Sequence, residues 1–167
     1  MQFESYSPDR LMIDSIVSRL TPEENSFRRW LMDYSIANKK PFNVKRDYPA
    51  QFEGSDTKKL AESLITKKVV ASSDNGDLNF IYPLSLVPTS HQVFLEDGRT
   101  LFAMCAVDAL GTSLTFGQNI RIRSKCSECG KPVNIRVQDG CITTYEPEET
   151  RVLHVDLNKF ENWACGA

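Results

Sequence analysis

Several features that mark exported, membrane-bound or nucleic-acid-coating proteins are missing from this sequence. No uninterrupted apolar run is long enough to span a bilayer, and the first residues carry neither the basic start nor the apolar run of a secretory signal. The formal net charge is only −2, which argues against a chain that coats nucleic acid or anionic membrane with its whole surface. We therefore expect a soluble, cytoplasmic protein with no membrane partner.

Histidine is also scarce, with two residues, whereas cysteine is not. The five cysteines all lie in the C-terminal part of the chain, at Cys105, Cys126, Cys129, Cys141 and Cys165. Without an export signal, such clustering suggests thiolate chemistry or metal binding more than a disulfide framework. The apolar and charged fractions, 41% and 25%, are ordinary for a globular chain that forms one unit or two small subdomains sharing a core.

The N-terminal half has helical signals followed by a hairpin signal. Thr21, Pro22 and Glu24 form a capping-box pattern that starts one helix, and Ser55 or Asp56 can cap another that runs to about Lys67. Two β-rich runs, 69–71 and 78–82, flank an Asn-Gly turn signal at 75–76. Helices followed by a hairpin predict a winged-helix-like subdomain over residues 1–83.

Winged helices often bind DNA, and residues 39–68 hold eight Lys and Arg against four acids. The excess of +4 is small, and no dense arginine cluster stands out. A solvated helical face explains the run about as well as a phosphate-binding surface, so we favour it and keep nucleic acid as the weaker alternative.

The C-terminal half, residues 84–167, is predicted to be a mostly antiparallel β subdomain after a connector at 83–90. Strand candidates at 91–95, 120–123, 133–137, 142–145 and 152–155 mostly alternate polar and apolar residues, as a half-solvated antiparallel sheet requires. Residues 101–110 are apolar on nearly every face, which predicts a buried helix. The fold class expected is therefore α+β.

Cys105 and Asp108 are three residues apart on that predicted helix, so their side chains should share one face and one pocket. One alternative is that Cys105 is merely a small core residue and Asp108 caps a loop. Aspartate is rarely buried without a partner, and its place among apolar neighbours favours a functional site.

Cys126 and Cys129 have the two-residue spacing at which two thiolates can grip one metal from a tight turn, followed by Gly130. This is half of a zinc site, so zinc would need ligands from Cys105, Cys141, Cys165 or His154. A reduced pair of structural thiols is the competing interpretation, and a redox pair is less favoured. Cys141 is most simply a structural thiol, and we assign it no role.

The segment 101–110, Leu-Phe-Ala-Met-Cys-Ala-Val-Asp-Ala-Leu, resembles the active-site helix of the organomercurial (alkylmercury) lyase family, whose core spacing is Cys-Ala-x-Asp. The resemblance covers roughly residues 85–137, including Ile120-Arg-Ile-Arg-Ser-Lys-Cys126. The segment that follows the motif and the Cys126–Cys129 pair depart from the family pattern, as in a diverged or short member.

The resemblance implies a lyase that cleaves carbon–mercury bonds in a detoxification, or mercury resistance, role. Cys105 would be the first thiolate to capture mercury, Asp108 would relay a proton to the departing carbon, and Cys126 matches a structural cysteine of the family. The family has a second mercury-binding cysteine further along its chain, and Cys165 is the only residue here at a comparable place in the order of the sequence. No cofactor is implied; Hg(II) is the bound product, passed to cellular thiols or a mercuric reductase.

Two rival functions remain at this point. A metal-binding regulator would bind DNA through the winged helix and sense soft metals with its cysteines. A structural zinc domain would use Cys126, Cys129 and two further thiols.

Overall fold

Helix α1, Pro22–Asn38, begins at the predicted capping box in the computed structural model, which describes residues 16–153. The Glu24 amide donates to Thr21 Oγ1 at 3.2 Å, and the Thr21 amide donates to Glu24 Oε2 at 2.6 Å. These two bonds satisfy amides that a helix start leaves unpaired, so the local sequence is enough to set this boundary.

Helix α2, Thr57–Thr66, and the hairpin after it also form where the sequence predicts them. Asp56 caps α2 by accepting a hydrogen bond from the Lys59 amide. Strands β1, Val70–Ser72, and β2, Leu78–Ile81, pair antiparallel around the turn that contains Gly76, whose φ is +92°. Glycine adopts this left-handed backbone without steric cost, which explains the strength of the Asn-Gly signal.

Among residues 16–153, eight antiparallel strands form one continuous sheet in the order β1-β2-β3-β5-β4-β6-β7-β8. After β1 and β2, the strands are β3, Leu84–Ser85; β4, His91–Leu95; β5, Thr100–Ala103; β6, Ile120–Lys125; β7, Pro132–Gln138; and β8, Cys141–Glu146. Four of the five strands predicted in the C-terminal half are confirmed, as β4, β6, β7 and β8. The fifth, 152–155, is not a strand at residues 152 and 153, and its other two residues lie outside the described residues.

The predicted connector at 83–90 contains a strand, which corrects the sequence interpretation. Short β3 pairs with β2 on one side and with β5 on the other, so it joins the N-terminal hairpin to the C-terminal strands. Both residues of β3 are buried. Two residues are too few for a periodic signal, so only their long-range partners identify them as a strand.

The predicted helix at 101–110 is wrong in its first half. Residues 101–103 belong to β5, which lies between β3 and β4, and helix α3 is Ala106–Phe116. A short apolar run fits a buried strand as well as a buried helix, and here the pairing partners decide. The helix also continues beyond 110, to a C-cap at Gly117 with φ of +62°.

The buried apolar side chains form one core that extends from α1, through Phe27 and Leu31, to Val93 of β4 and Ile122 of β6. Helix α3 covers one face of the strands β4 to β7. The fold is therefore α+β, with three α-helices among residues 16–153 and an antiparallel sheet, as predicted. Within that range no helix combines the length and apolar character needed to cross a membrane.

Candidate active site

Strands β5 and β6, which precede Cys105 and Cys126, both end at the same edge of the sheet. Ala103, the last residue of β5, pairs with His91, the first residue of β4. On the other side of β4, the last residues of β6 lie opposite the start of β7, and the last residue of β8, Glu146, pairs with Asn134 of β7. Cys105 and Cys126 thus follow strands that end on the same side of the molecule.

Cys105 lies at the N-terminus of α3 and not within a helix. Its backbone is extended, with φ of −139° and ψ of 175°, and it is the N-cap residue. Its Sγ accepts a hydrogen bond from the Asp108 amide at 3.4 Å, and the Val107 amide also favours the thiolate. The first amides of α3 and the positive end of the helix dipole therefore point at the sulfur.

Asp108 occupies the third position of α3 and is buried, with 8% of its surface exposed. The Cys105 thiol donates a hydrogen bond to the Asp108 carboxylate. Burial, together with the negative charge of Asp108, raises the pKa of Cys105 to about 11, despite the helix amides. The pair holds the proton on sulfur at neutral pH, with a carboxylate placed to take it.

Tyr82 also lies near this pair and contacts Arg28, and neither residue was predicted from the sequence. Burial and the charge of Asp108 raise the pKa of Tyr82, while Arg28 opposes the shift. Arg28 is buried on α1 and donates a hydrogen bond to the backbone carbonyl of Tyr82. No local signal connects these residues with Cys105, because 54 positions separate Arg28 from Tyr82 and both are remote from the motif.

His91 bridges neighbouring strands at the same sheet end. Its Nδ1 lies 3.0 Å from Ser124 Oγ on β6, and burial lowers the pKa of the imidazole. The neutral imidazole is thus favoured, and its hydrogen-bond partner is the Ser124 hydroxyl. This arrangement is typical of a histidine that packs between two strands.

Cys126 and Cys129 belong to the tight turn between β6 and β7. The Cys126 amide donates to the Lys131 carbonyl, and the Gly130 amide donates to the Cys126 carbonyl, both at 2.9 Å. The backbone amides of Cys129 and Glu128, with the Cys129 thiol, lower the pKa of Cys126. Cys129 is exposed, and Cys126 is partly so.

A closed zinc site at this turn lacks further ligands among residues 16–153. No group of three or more His, Cys, Asp or Glu side chains that could hold a metal ion occurs in that range. Cys141 opens β8 and pairs with Gln138, at the sheet end opposite Cys105. Cys165 and His154 lie outside the described residues.

The basic residues of the N-terminal half are partly engaged in internal contacts. Lys67 pairs with buried Glu24 at 2.7 Å, and Arg46 pairs with Asp77 at 3.1 Å. The side chain of Lys45 donates to the carbonyl of Asp74. These contacts reduce the charge available for a phosphate backbone.

The comparison with protein families matches residues 84–166 to the MerB alkylmercury lyase family model. The alkylmercury lyase of Bacillus cereus is 38% identical over 64 residues, which is 38% of this chain and 29% of that protein. The alkylmercury lyase of Pseudomonas putida is 38% identical over 69 residues, 41% of this chain and 32% of that protein. The match thus spans less than a third of these relatives' length.

A solved structure, the mercury-bound form of MerB2, has a similar fold. The superposition gives a TM-score of 0.61 with 24% sequence identity, and it covers 80% of this chain and 64% of that chain. At this identity the likeness concerns the fold alone.

Proposed function

We propose that the chain belongs to the alkylmercury lyase family, whose model matches residues 84–166, and that it cleaves carbon–mercury bonds by protonolysis. The substrate is a small organomercurial, and the products are a hydrocarbon and Hg(II). The hydrogen-bonded pair of Cys105 and Asp108 carries the proposal, because this reaction needs both a soft ligand for mercury and a proton for carbon.

Cys105 is the thiol that captures the substrate mercury. When sulfur binds mercury, the thiol must lose its proton, and the Asp108 carboxylate already accepts a hydrogen bond from it. The amides at the start of α3 favour the sulfur anion during this step. The high pKa of Cys105 keeps the free thiol protonated, so that the proton needed later is retained in the site.

Asp108 then acts as the proton relay. A second thiolate binds mercury and increases the electron density on the metal, its own proton passing to solvent. Asp108 gives its proton to the carbon, and the carbon–mercury bond breaks with its electron pair remaining on carbon. Two thiols and one organomercury cation thus yield hydrocarbon, one proton and Hg(II) bound by two thiolates. The step is general acid catalysis by a positioned carboxyl.

Cys165 supplies the second thiolate in this proposal. It lies outside the described residues, and the support comes from the topology that precedes it. Strand β8 ends at Glu146, on the sheet end where β5 leads to Cys105. The chain therefore leaves the sheet on the side of the site, and 19 positions separate Glu146 from Cys165.

Residues 1–83 are proposed to be a winged-helix-like subdomain that supports the site, with residues 84–167 as the catalytic subdomain. Helix α2 followed by the β1–β2 hairpin is the arrangement that suggests the winged helix. The hydrogen bond from Arg28 to the Tyr82 carbonyl links α1 to the segment beside Asp108. The N-terminal half thus forms one wall of the site in this proposal.

After cleavage, Hg(II) passes to cellular thiols or a mercuric reductase, in a cytoplasmic mercury resistance role. Transfer follows from the exchange of one thiolate for another on a soft metal. The same exchange makes free thiol a requirement for repeated turnover.

Single-turnover release of hydrocarbon from an organomercurial, with excess free thiol, tests the function. The wild-type chain is compared with Cys105→Ser, and Cys141→Ser is the matched control because Cys141 lies at the opposite sheet end. We expect release by wild type and the control, and none by Cys105→Ser. A folded, reduced wild type that releases no hydrocarbon would refute the proposal.

A further inference from the structure

The turn that joins β6 to β7 holds two thiols that the cleavage reaction does not use. Cys126 and Cys129 are both solvent-accessible to some degree, and the Cys129 thiol lies beside the Cys126 sulfur. Two backbone hydrogen bonds of 2.9 Å close the turn, from the Cys126 amide to Lys131 and from the Gly130 amide to Cys126. A backbone held in this way keeps both thiols on one side before any metal arrives.

The conformation of Gly130 contributes to this arrangement. Its φ is +70°, and a Cβ at this position would meet nothing within 4 Å. The glycine is therefore required by the backbone and not by crowding, since only the left-handed conformation reverses the chain directly after Cys129. The chain reversal at Gly130 thus helps to form a turn in which Cys126 and Cys129 both present their thiols.

The number of ligands selects the metal. Zinc in structural sites takes four ligands, whereas no third or fourth ligand stands near this pair among residues 16–153. Hg(II) is soft and is satisfied by two thiolates in a linear arrangement. Binding of both thiolates to one ion makes the second bond intramolecular, which raises the affinity above that of two separate monothiols.

The pair also lies near the proposed site of cleavage. Ala103, two residues before Cys105, is separated from the end of β6 by strand β4 alone. The ends of β5 and β6 are thus two inter-strand spacings apart, about 10 Å. When Cys105 releases Hg(II) to a small free thiol, the exposed Cys129 is therefore a nearby second ligand.

We propose that Cys126 and Cys129 form a second mercury site, which binds one Hg(II) between two thiolates and receives the product of cleavage. Binding displaces one proton from each thiol and involves no change of oxidation state. In the transfer, both sulfur–mercury bonds to the previous thiolates break, two bonds to Cys126 and Cys129 form, and the released protons pass to the departing thiolates. The acceptor role depends on the proposed lyase function, whereas Hg(II) binding by the pair does not.

The binding is tested in the full chain that carries Cys105→Ser and Cys165→Ser, so that the proposed catalytic thiols are absent. Mercuric chloride is added with excess monothiol, the protein is separated by gel filtration, and mercury is counted by mass spectrometry. We expect one ion per chain. Adding Cys129→Ser should abolish retention, whereas adding Cys141→Ser should not, because Cys141 lies at the opposite sheet end.

Cys129 is exposed, so its substitution tests ligation without opening the core, and circular dichroism confirms the fold of each variant. Retention of no mercury by the starting variant would overturn the proposal, as would loss that follows Cys141→Ser in place of Cys129→Ser.

The acceptor role is tested in the wild-type chain after one turnover of an organomercurial with free monothiol. Rapid alkylation and peptide mapping then show whether Cys126 and Cys129 are protected by mercury. Protection supports the role, and free alkylation of both after hydrocarbon release overturns it. Absence of hydrocarbon release would instead count against the lyase function, which the binding test does not involve.

Discussion

The Cys105 sulfur and Asp108 are joined twice, since the Asp108 amide donates to Sγ at 3.4 Å and the thiol donates to the Asp108 carboxylate. The first contact favours a thiolate, and the second favours a thiol. Burial and the carboxylate charge decide the balance, and the pKa of Cys105 is raised to about 11. In the proposed mechanism, binding of a soft cation to the sulfur reverses this balance and sends the proton to Asp108.

Replacement of Asp108 by Asn should separate mercury binding from bond cleavage. The amide keeps the size of the side chain but cannot carry the proton, so single-turnover hydrocarbon release should fall by about 10²- to 10⁴-fold, the usual contribution of a general acid. Binding of Hg(II), measured by competition with a free thiol, should change far less. Equal losses in both measurements would show that Asp108 only supports the structure.

The reactivity of Cys105 toward iodoacetamide should report its raised pKa. Below the pKa the thiol form predominates, so the alkylation rate should rise about tenfold per pH unit until the pH approaches the pKa. Mass spectrometry of the Cys105 peptide separates this signal from the other cysteines. In Asp108→Asn the midpoint should move to lower pH, because the negative charge that opposes the thiolate is gone. An unchanged midpoint would contradict the electrostatic explanation.

Glu24 should contribute stability that disappears in acid. Although burial alone would raise it, hydrogen bonds from Lys67, Ser63 and Thr21 lower the pKa of Glu24 to about 2. A carboxyl with a lowered pKa stabilises the fold fully above its ordinary value of 4.5 and loses that contribution as the pH falls toward 2. Glu24→Gln should therefore cost about 1.5–3 kcal/mol at neutral pH and little in strong acid.

The matched control for this prediction is Glu62→Gln, because Glu62 is exposed on α2. Its free energy of unfolding, from urea titration at several pH values, should follow that of the wild type. A Glu24→Gln deficit that did not diminish in acid would argue against the ionised contacts as its source.

Gly111→Ala should stabilise the chain. Gly111 lies inside α3, and an added Cβ would meet Tyr82 Oη at 4.0 Å, an ordinary contact. Glycine costs a helix interior about 0.5–1 kcal/mol relative to alanine, and this cost should be recovered as a higher melting temperature. Gly98→Ala is the contrast: its φ of +88° is unfavourable for alanine, so the melting temperature should fall. A lower melting temperature for both variants would contradict this prediction, because it would indicate crowding at Gly111 despite the 4.0 Å distance to Tyr82 Oη.

Features that depend on groups a few residues apart could be predicted from the local sequence. The capping box of α1, the Asp56 cap of α2 and the glycine turn between β1 and β2 formed as predicted, since each satisfies its own backbone locally. The Cys-Ala-x-Asp spacing likewise keeps Cys105 and Asp108 together, whether Cys105 is inside a helix or caps one, because both geometries bring residues three apart into contact.

Tertiary contacts, by contrast, set whether residues 101–103 are helix or strand, that β3 joins the two halves, and that Tyr82 lies beside the Cys105–Asp108 pair. An apolar run has no intrinsic period when both its faces are buried, so its conformation depends on the partners that cover it. One of those partners, β3, is separated from β5 by other elements of the chain, and the burial that raises the pKa of Cys105 exists only in the folded chain.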